Sequence, residues 1–236
     1  AQCLYKFVSK NSFKPETDAF NDLLLEGILY VANFSSKTWE ALTPSHPKLR
    51  SDPLKRFLSL EQIMLNTRLA AKEVGGTPLN RPEGISKYKD LIVVALTNDK
   101  SRGDYHGQLL AIKEEDHTSA TFDFQTFKAG GEDVGFSCPD NIAVHKDNLW
   151  VCTDISSRAL GKGRYSNYPR NALVNITLDK NDKIQVKSFA LAPIQAELTG
   201  PSFHPDDKDI FLSVQHPGEG SHRDGNKLPS HWPRGG

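Results

Sequence analysis

The chain has 236 residues, and its 29 Lys and Arg balance its 29 Asp and Glu, so the formal net charge is zero. That balance argues against a general nucleic-acid binder, which needs a basic excess to displace counterions, and it gives no pull towards an anionic membrane surface. Hydrophobic residues at 37% suffice for a buried core and argue against disorder, while no apolar run approaches the roughly 18 residues of a membrane span.

The sequence opens on Cys3-Leu4-Tyr5-Lys6-Phe7-Val8, which predicts a strand over Leu4–Ser9. A chain that starts inside a strand is expected to have lost something upstream, so the lack of a signal peptide says little about compartment. Leu24–Phe34 reads as the next strand. One helix follows. Ser59-Leu60-Glu61-Gln62 is a capping box, good helix formers run through Lys72, and Gly75-Gly76 stops them, which predicts a helix over Ser59–Val74 in an insertion at about 54–76.

Further strands are expected at Leu91–Thr97, Gln108–Lys113, Ala120–Phe127, Asn148–Thr153, Ala172–Leu178, Lys183–Ala190 and Asp209–Gln215, ahead of a loop-rich tail at about 217–236. Polar links such as Lys146-Asp147-Asn148 and Asp179-Lys180-Asn181-Asp182 suit antiparallel neighbours. One helix among many strands predicts a single all-β domain over 1–236. Cys3, Cys138 and Cys152 form no CxxC pair, so neither a zinc finger nor a disulfide scaffold is expected.

An internal quasi-repeat organises the rest. Arg81-Pro82-Glu83-Gly84-Ile85 precedes a turn, Leu91–Thr97 and Asn98; Cys138-Pro139-Asp140-Asn141-Ile142 precedes a turn and Leu149–Asp154; Glu197-Leu198-Thr199-Gly200-Pro201 precedes a turn and Ile210–His216. A period of about sixty residues fits a four-stranded propeller blade with loop insertions. Equivalent positions on neighbouring inner strands would aim Glu83, Asp140 and Glu197 at one rim. Like charges so placed raise one another's pKa, and a bound cation is the natural remedy. With Asn98 and Asn141 they make a hard-oxygen set suited to Ca²⁺ or Mg²⁺. The same residues are also ordinary turn formers, and the sequence alone leaves both readings open. His216-Pro217-Gly218-Glu219 reads as a loop beside such a rim.

Several strings, in order, resemble the PhoX-type alkaline phosphatases. They are Leu4–Ser9, Glu26–Ala32, Thr67–Ala71 running on to Arg81-Pro82-Glu83, Leu96-Thr97-Asn98, Pro139-Asp140-Asn141, Leu149–Val151 with Thr153-Asp154, Glu197–Pro201 and Val214–Glu219. The resemblance implies a six-bladed β-propeller with calcium and iron at one rim, exported to the periplasm or secreted, hydrolysing small phosphate monoesters. It places Glu83 and Glu197 at positions like the family's metal-binding glutamates. Asp140, Asn141, Asp154 and Asn98 fall at further metal-rim motifs, and Arg81, His216 and Glu219 on the substrate side. No catalytic nucleophile is singled out. The implied partner is a small phosphorylated substrate for a monomer, with no nucleic acid and no membrane.

The departures shape the expectation. The family segment that supplies a cysteine and acidic ligands to iron has no counterpart, and that role is not moved to Cys3, Cys138 or Cys152. The ring-closing strand after His216–Glu219 is missing, and a position associated with a phosphate-binding arginine reads Gln195. The expectation is therefore the C-terminal portion of the family, about four blades of six, with an incomplete rim. The alternatives are a calcium-dependent lactonase or esterase propeller using the same carboxylates, and a non-enzymatic propeller segment.

Overall fold

The computed structural model describes residues 3–12, 24–181, 183–219 and 230–234. They fall into two compact units: Ala1–Leu79 with Lys113–Phe124, and Asn80–Ile112 with Gln125–Gly236.

In the first unit, β1 (Tyr5–Ser9), β2 (Gly27–Asn33) and β3 (Thr38–Ala41) form an antiparallel sheet in that order. Three helices pack with it: α1 (Pro47–Arg50), α2 (Leu60–Leu65) and α3 (Thr67–Val74). Val31, Leu42, Phe57, Ile63, Ala71 and Val74 belong to their shared core. The single helix expected over Ser59–Val74 is thus two, with α1 before them. Asn66 leaves helical geometry at φ −119°, ψ 29°, and its Nδ2 donates to Gln62 O at 2.9 Å, so the side chain takes up a carbonyl at the break. The capping box forms in part: Ser59 Oγ accepts from Gln62 N, but Gln62 Oε1 reaches back to Leu58 N at 2.7 Å rather than to Ser59. Gly75, left-handed at φ 98°, ends α3 where the sequence places the stop.

The second unit is nearly all strand. β4 (Pro82–Tyr88), β5 (Leu91–Leu96), β6 (Gln108–Lys113) and β7 (Asp123–Ala129) make one up-and-down sheet. β8 (Pro139–His145), β9 (Asn148–Thr153), β10 (Ala172–Leu178) and β11 (Ile184–Leu191) make a second. β12 (Glu197–Phe203) and β13 (Ile210–Gln215) pair as a third. The first strands of the three sheets are neighbours, β8 lying against both β4 and β12, which is how the inner strands of successive propeller blades meet. Between the first two sheets Tyr88, Val93, Leu109, Phe136, Leu149 and Val151 are fully buried, and Cys152, Leu173, Ala192 and Leu198 fill the space before the third. Among the described residues no helix is long and apolar enough to cross a membrane.

The quasi-repeat reappears in the backbone. Arg81, Cys138 and Gln195 have φ of 49°, 53° and 58°, and each stands two residues before an acidic member of the repeat. Strand pairing then slips between Pro82 and Ile85, between Pro139 and Ile142, and later in the third copy between Thr199 and Ser202. A left-handed residue followed by a bulge turns the next side chains out of the ladder and towards the strand mouth. Gly84 sits in the first bulge, where a Cβ would lie 2.5 Å from Asp140 O and 2.6 Å from Ile142 N. Only glycine lets β4 approach β8 this closely.

Candidate metal centre

Asp140 lies in the bulge of β8, Asp154 just beyond the end of β9, and Glu197 at the start of β12. Asp154 is set by its own N–H, which donates to Cys138 O at 2.8 Å. Each of the three carboxylates offers an oxygen within 4.8 Å of the other two. Glu197 is only 7% exposed, and its buried Oε2 has no hydrogen-bond partner. Its other oxygen lies 3.2 Å from His216 Nε2.

The charge balance is lopsided. Arg81 Nη2 donates to Asp154 Oδ2 at 2.9 Å, and Arg81 Nε lies 3.4 Å from Glu83 Oε1. Burial opposes the guanidinium's charge, but Asp154, Glu83 and Asp140 outweigh it and hold its pKa above the ordinary arginine value. One guanidinium does not offset the acids around it. Burial, then Asp154 and Glu83, pushes the Asp140 carboxyl up to about 6. Burial and Asp154 raise Glu197 as well, with His216 opposing. The field reaches the thiol behind the rim: burial, reinforced by Asp140 and Glu197, pushes Cys152 up to about 12.

Three carboxylates crowded within a few ångströms, one with an unpartnered buried oxygen, form a donor set for a hard divalent cation. The set is all oxygen and anionic, as calcium prefers, and a cation would remove the repulsion that raises these pKa values.

The remaining expected site residues are placed as follows. Glu83, expected at the same rim, is exposed beside Arg81 and is not one of the three carboxylates that meet there. Asn98 turns its Nδ2 to Cys138 Sγ at 3.3 Å. Asn141 Oδ1 accepts from Gly200 N at 2.7 Å, tying the bulge of β8 to that of β12, and its side chain also hydrogen-bonds Asp140. His216 bridges Glu197 and Glu219, with Nδ1 3.5 Å from Glu219 Oε2, an oxygen that also accepts from Ser157 Oγ at 2.9 Å. Gly220–His222 lie outside the described residues. Cys138 is buried under Tyr165, its thiol raised by burial. A second group, His204, Asp206 and Asp209, is exposed in the turn between β12 and β13. The sequence offered no hint of Asn171, whose amide is tied to both Asp154 and Glu197 through their neighbours; a lone Asn before a strand carries no motif.

A family model described as alkaline phosphatase PhoX matches residues 1–218. The chain belongs to the PhoX alkaline phosphatase family. Among solved structures it is similar to Pseudomonas fluorescens PhoX in complex with vanadate, described there as a transition state analogue. The identity is 29% and the TM-score 0.83, over 100% of this chain and 47% of that one. The chain thus spans about half the length of that relative. No curated protein matches it. The PhoX resemblance of the ordered strings and the all-β propeller-type fold expected from it both hold.

Proposed function

We propose that the acidic rim binds calcium through Asp140, Asp154 and Glu197 and serves the hydrolysis of small phosphate monoesters. The observation that carries this reading is the convergence of these carboxylates around the buried, unpartnered Glu197 Oε2. Glu83, Asn98 and Asn141, expected as further ligands, have other partners, namely Arg81, Cys138 Sγ and Gly200 N, so the reading rests on the three carboxylates. Calcium bound there supplies charge neutralisation to the phosphate and a hold on its oxygens. Iron is implied by the family resemblance alone; Cys138 and Cys152 are buried, and neither belongs to the carboxylate group.

The protein's own groups would orient the substrate. The Arg81 guanidinium, which faces Asp154 and Glu83, has the planar fork that suits phosphate oxygens. His216, poised between Glu197 and Glu219, presents a ring nitrogen to the same mouth. The vanadate complex of the solved relative supports phosphoryl chemistry in the family. Export to the periplasm or beyond agrees with a calcium-dependent hydrolase.

The test is p-nitrophenyl phosphate hydrolysis by the chain and by Asp154→Asn, with and without calcium, beside a lactone substrate. Calcium-dependent phosphate release lost in Asp154→Asn is expected. Lactone hydrolysis alone would make the protein a lactonase. Calcium binding without turnover of either substrate would make the chain a non-enzymatic propeller segment.

A further inference from the structure

Asn171 stands just before β10, 3% exposed, and saturates its amide. Oδ1 accepts from Ile155 N at 2.7 Å and from Thr153 Oγ1 at 3.2 Å. Nδ2 donates to Ile155 O at 3.0 Å and to Ala196 O at 3.2 Å. Thr153 and Ile155 flank Asp154, and Ala196 precedes Glu197. One side chain therefore grips the backbone on both sides of one rim carboxylate and immediately ahead of another. Its own backbone is fixed in turn: Ala192 N donates to Asn171 O at 2.8 Å, and Ala172 N to Thr153 Oγ1 at 2.9 Å.

We propose that Asn171 is a positioning residue that sets the separation of Asp154 and Glu197 and so the cation affinity of the rim. This rests on the calcium reading above. Two carboxylates this close repel each other when no cation is bound. The segments that carry them, a loop after β9 and the first residue of β12, have no shared strand pairing to resist that push. The Asn171 amide supplies the missing tie. The tie needs two acceptor sites and two donors in one short planar group, which only asparagine offers at this length. Aspartate has no donor, leucine has neither, and glutamine is one methylene too long. Groups that orient metal ligands without touching the metal typically govern affinity by about 10- to 100-fold.

The experiment measures calcium affinity by calorimetric titration, and melting temperature without calcium, for the wild-type chain and for Asn171→Ala, Thr153→Val and Tyr88→Phe. Thr153→Val removes the hydroxyl that links Asn171 Oδ1 to Ala172 N, in a milder, isosteric way. Tyr88→Phe is the stability control: it breaks the bond from Tyr88 Oη to Asp147 O at 3.1 Å, at the far end of β4. All three are expected to melt lower. Asn171→Ala is expected to bind calcium about tenfold or more weakly, Thr153→Val more weakly by a smaller factor, and Tyr88→Phe as wild type does. If Asn171→Ala does not fold, Thr153→Val decides. Wild-type affinity in the folded Asn171→Ala, or in Thr153→Val when that variant decides, overturns the inference and leaves the rim reading standing. Equal weakening in Tyr88→Phe overturns it too, because affinity would then follow general stability. A wild-type chain that binds no calcium overturns both.

Discussion

Arg81 Nη2 reaches from the mouth of β4 to Asp154 Oδ2 beyond the end of β9, a 2.9 Å ion pair between the first strands of one blade and the last residues of the next blade's hairpin. The guanidinium tempers Asp154, Glu83 and Asp140, and Arg81 carries a left-handed backbone, φ 49°, at the mouth of the strand. Removing it by Arg81→Gln leaves Asp140 with less opposing charge, so its pKa rises further. Calcium-free melting is expected to fall at neutral pH, and the fall to shrink near pH 5, below the raised value of Asp140. Calcium should restore much of the loss, whereas phosphate monoester turnover should stay low. Melting curves at two pH values, with and without calcium, check this.

The pH dependence of the calcium-free chain has a defined sign. Folded Asp140 titrates at about 6 against an ordinary 3.8, and folded Glu197 is raised above 4.5. Between the unfolded and folded values the native chain holds protons that the unfolded chain has released, so these groups cost stability as pH rises through that window. Salt-bridged acids such as Asp52, lowered by Arg56, act in the opposite sense, their contribution being lost as pH falls through their folded values. A difference measurement isolates the rim. Asp140→Asn should match wild type in calcium-free stability near pH 4 and exceed it increasingly up to about pH 6, then run level. A constant difference across that range would contradict the assigned crowding.

Gly84→Ala tests the approach of β4 to β8. The added methyl would meet Asp140 O and Ile142 N, backbone atoms that cannot swing aside. Relief requires the two strands to separate at the bulges that carry Glu83 and Asp140. A cost of about 1–3 kcal/mol is expected, as for other overpacked sites, together with weaker calcium binding. Thermal unfolding and calcium titration of the variant give both numbers.

Much of this architecture is legible in the sequence because it repeats. Leu91–Thr97, Asn148–Thr153 and Asp209–Gln215 announce themselves as apolar β-branched runs, and the structure places β5, β9 and β13 there. Their partners β4, β8 and β12 are quieter, since Pro82, Gly84, Pro139, Gly200 and Pro201 are poor strand formers. Bulges and left-handed residues absorb them, and local composition does not encode a bulge. The break of the expected helix falls at Asn66, whose side chain takes up the Gln62 carbonyl, a local choice that a capping-box reading does not reveal. At the site, the acidic residues stand out by position in the repeat. Asn98 and Asn141, oxygen donors by composition, spend their amides on Cys138 Sγ and Gly200 N, choices that only three-dimensional neighbours determine. Asn171 is silent in the sequence for the same reason.

The central claim is that the rim is a cation site, and Glu197→Gln tests it most directly. The neutral amide keeps the size and one oxygen of the carboxylate but loses its charge, both for the cation and against Asp154 and Asp140. The measurement is the melting temperature of wild type and Glu197→Gln, each with and without calcium. Calcium should raise the wild-type midpoint, since a ligand at 100 times its Kd stabilises by about 2.7 kcal/mol. In Glu197→Gln that rise should shrink sharply, while the calcium-free midpoint stays level or climbs slightly. A wild-type chain whose midpoint does not move with calcium would contradict the account.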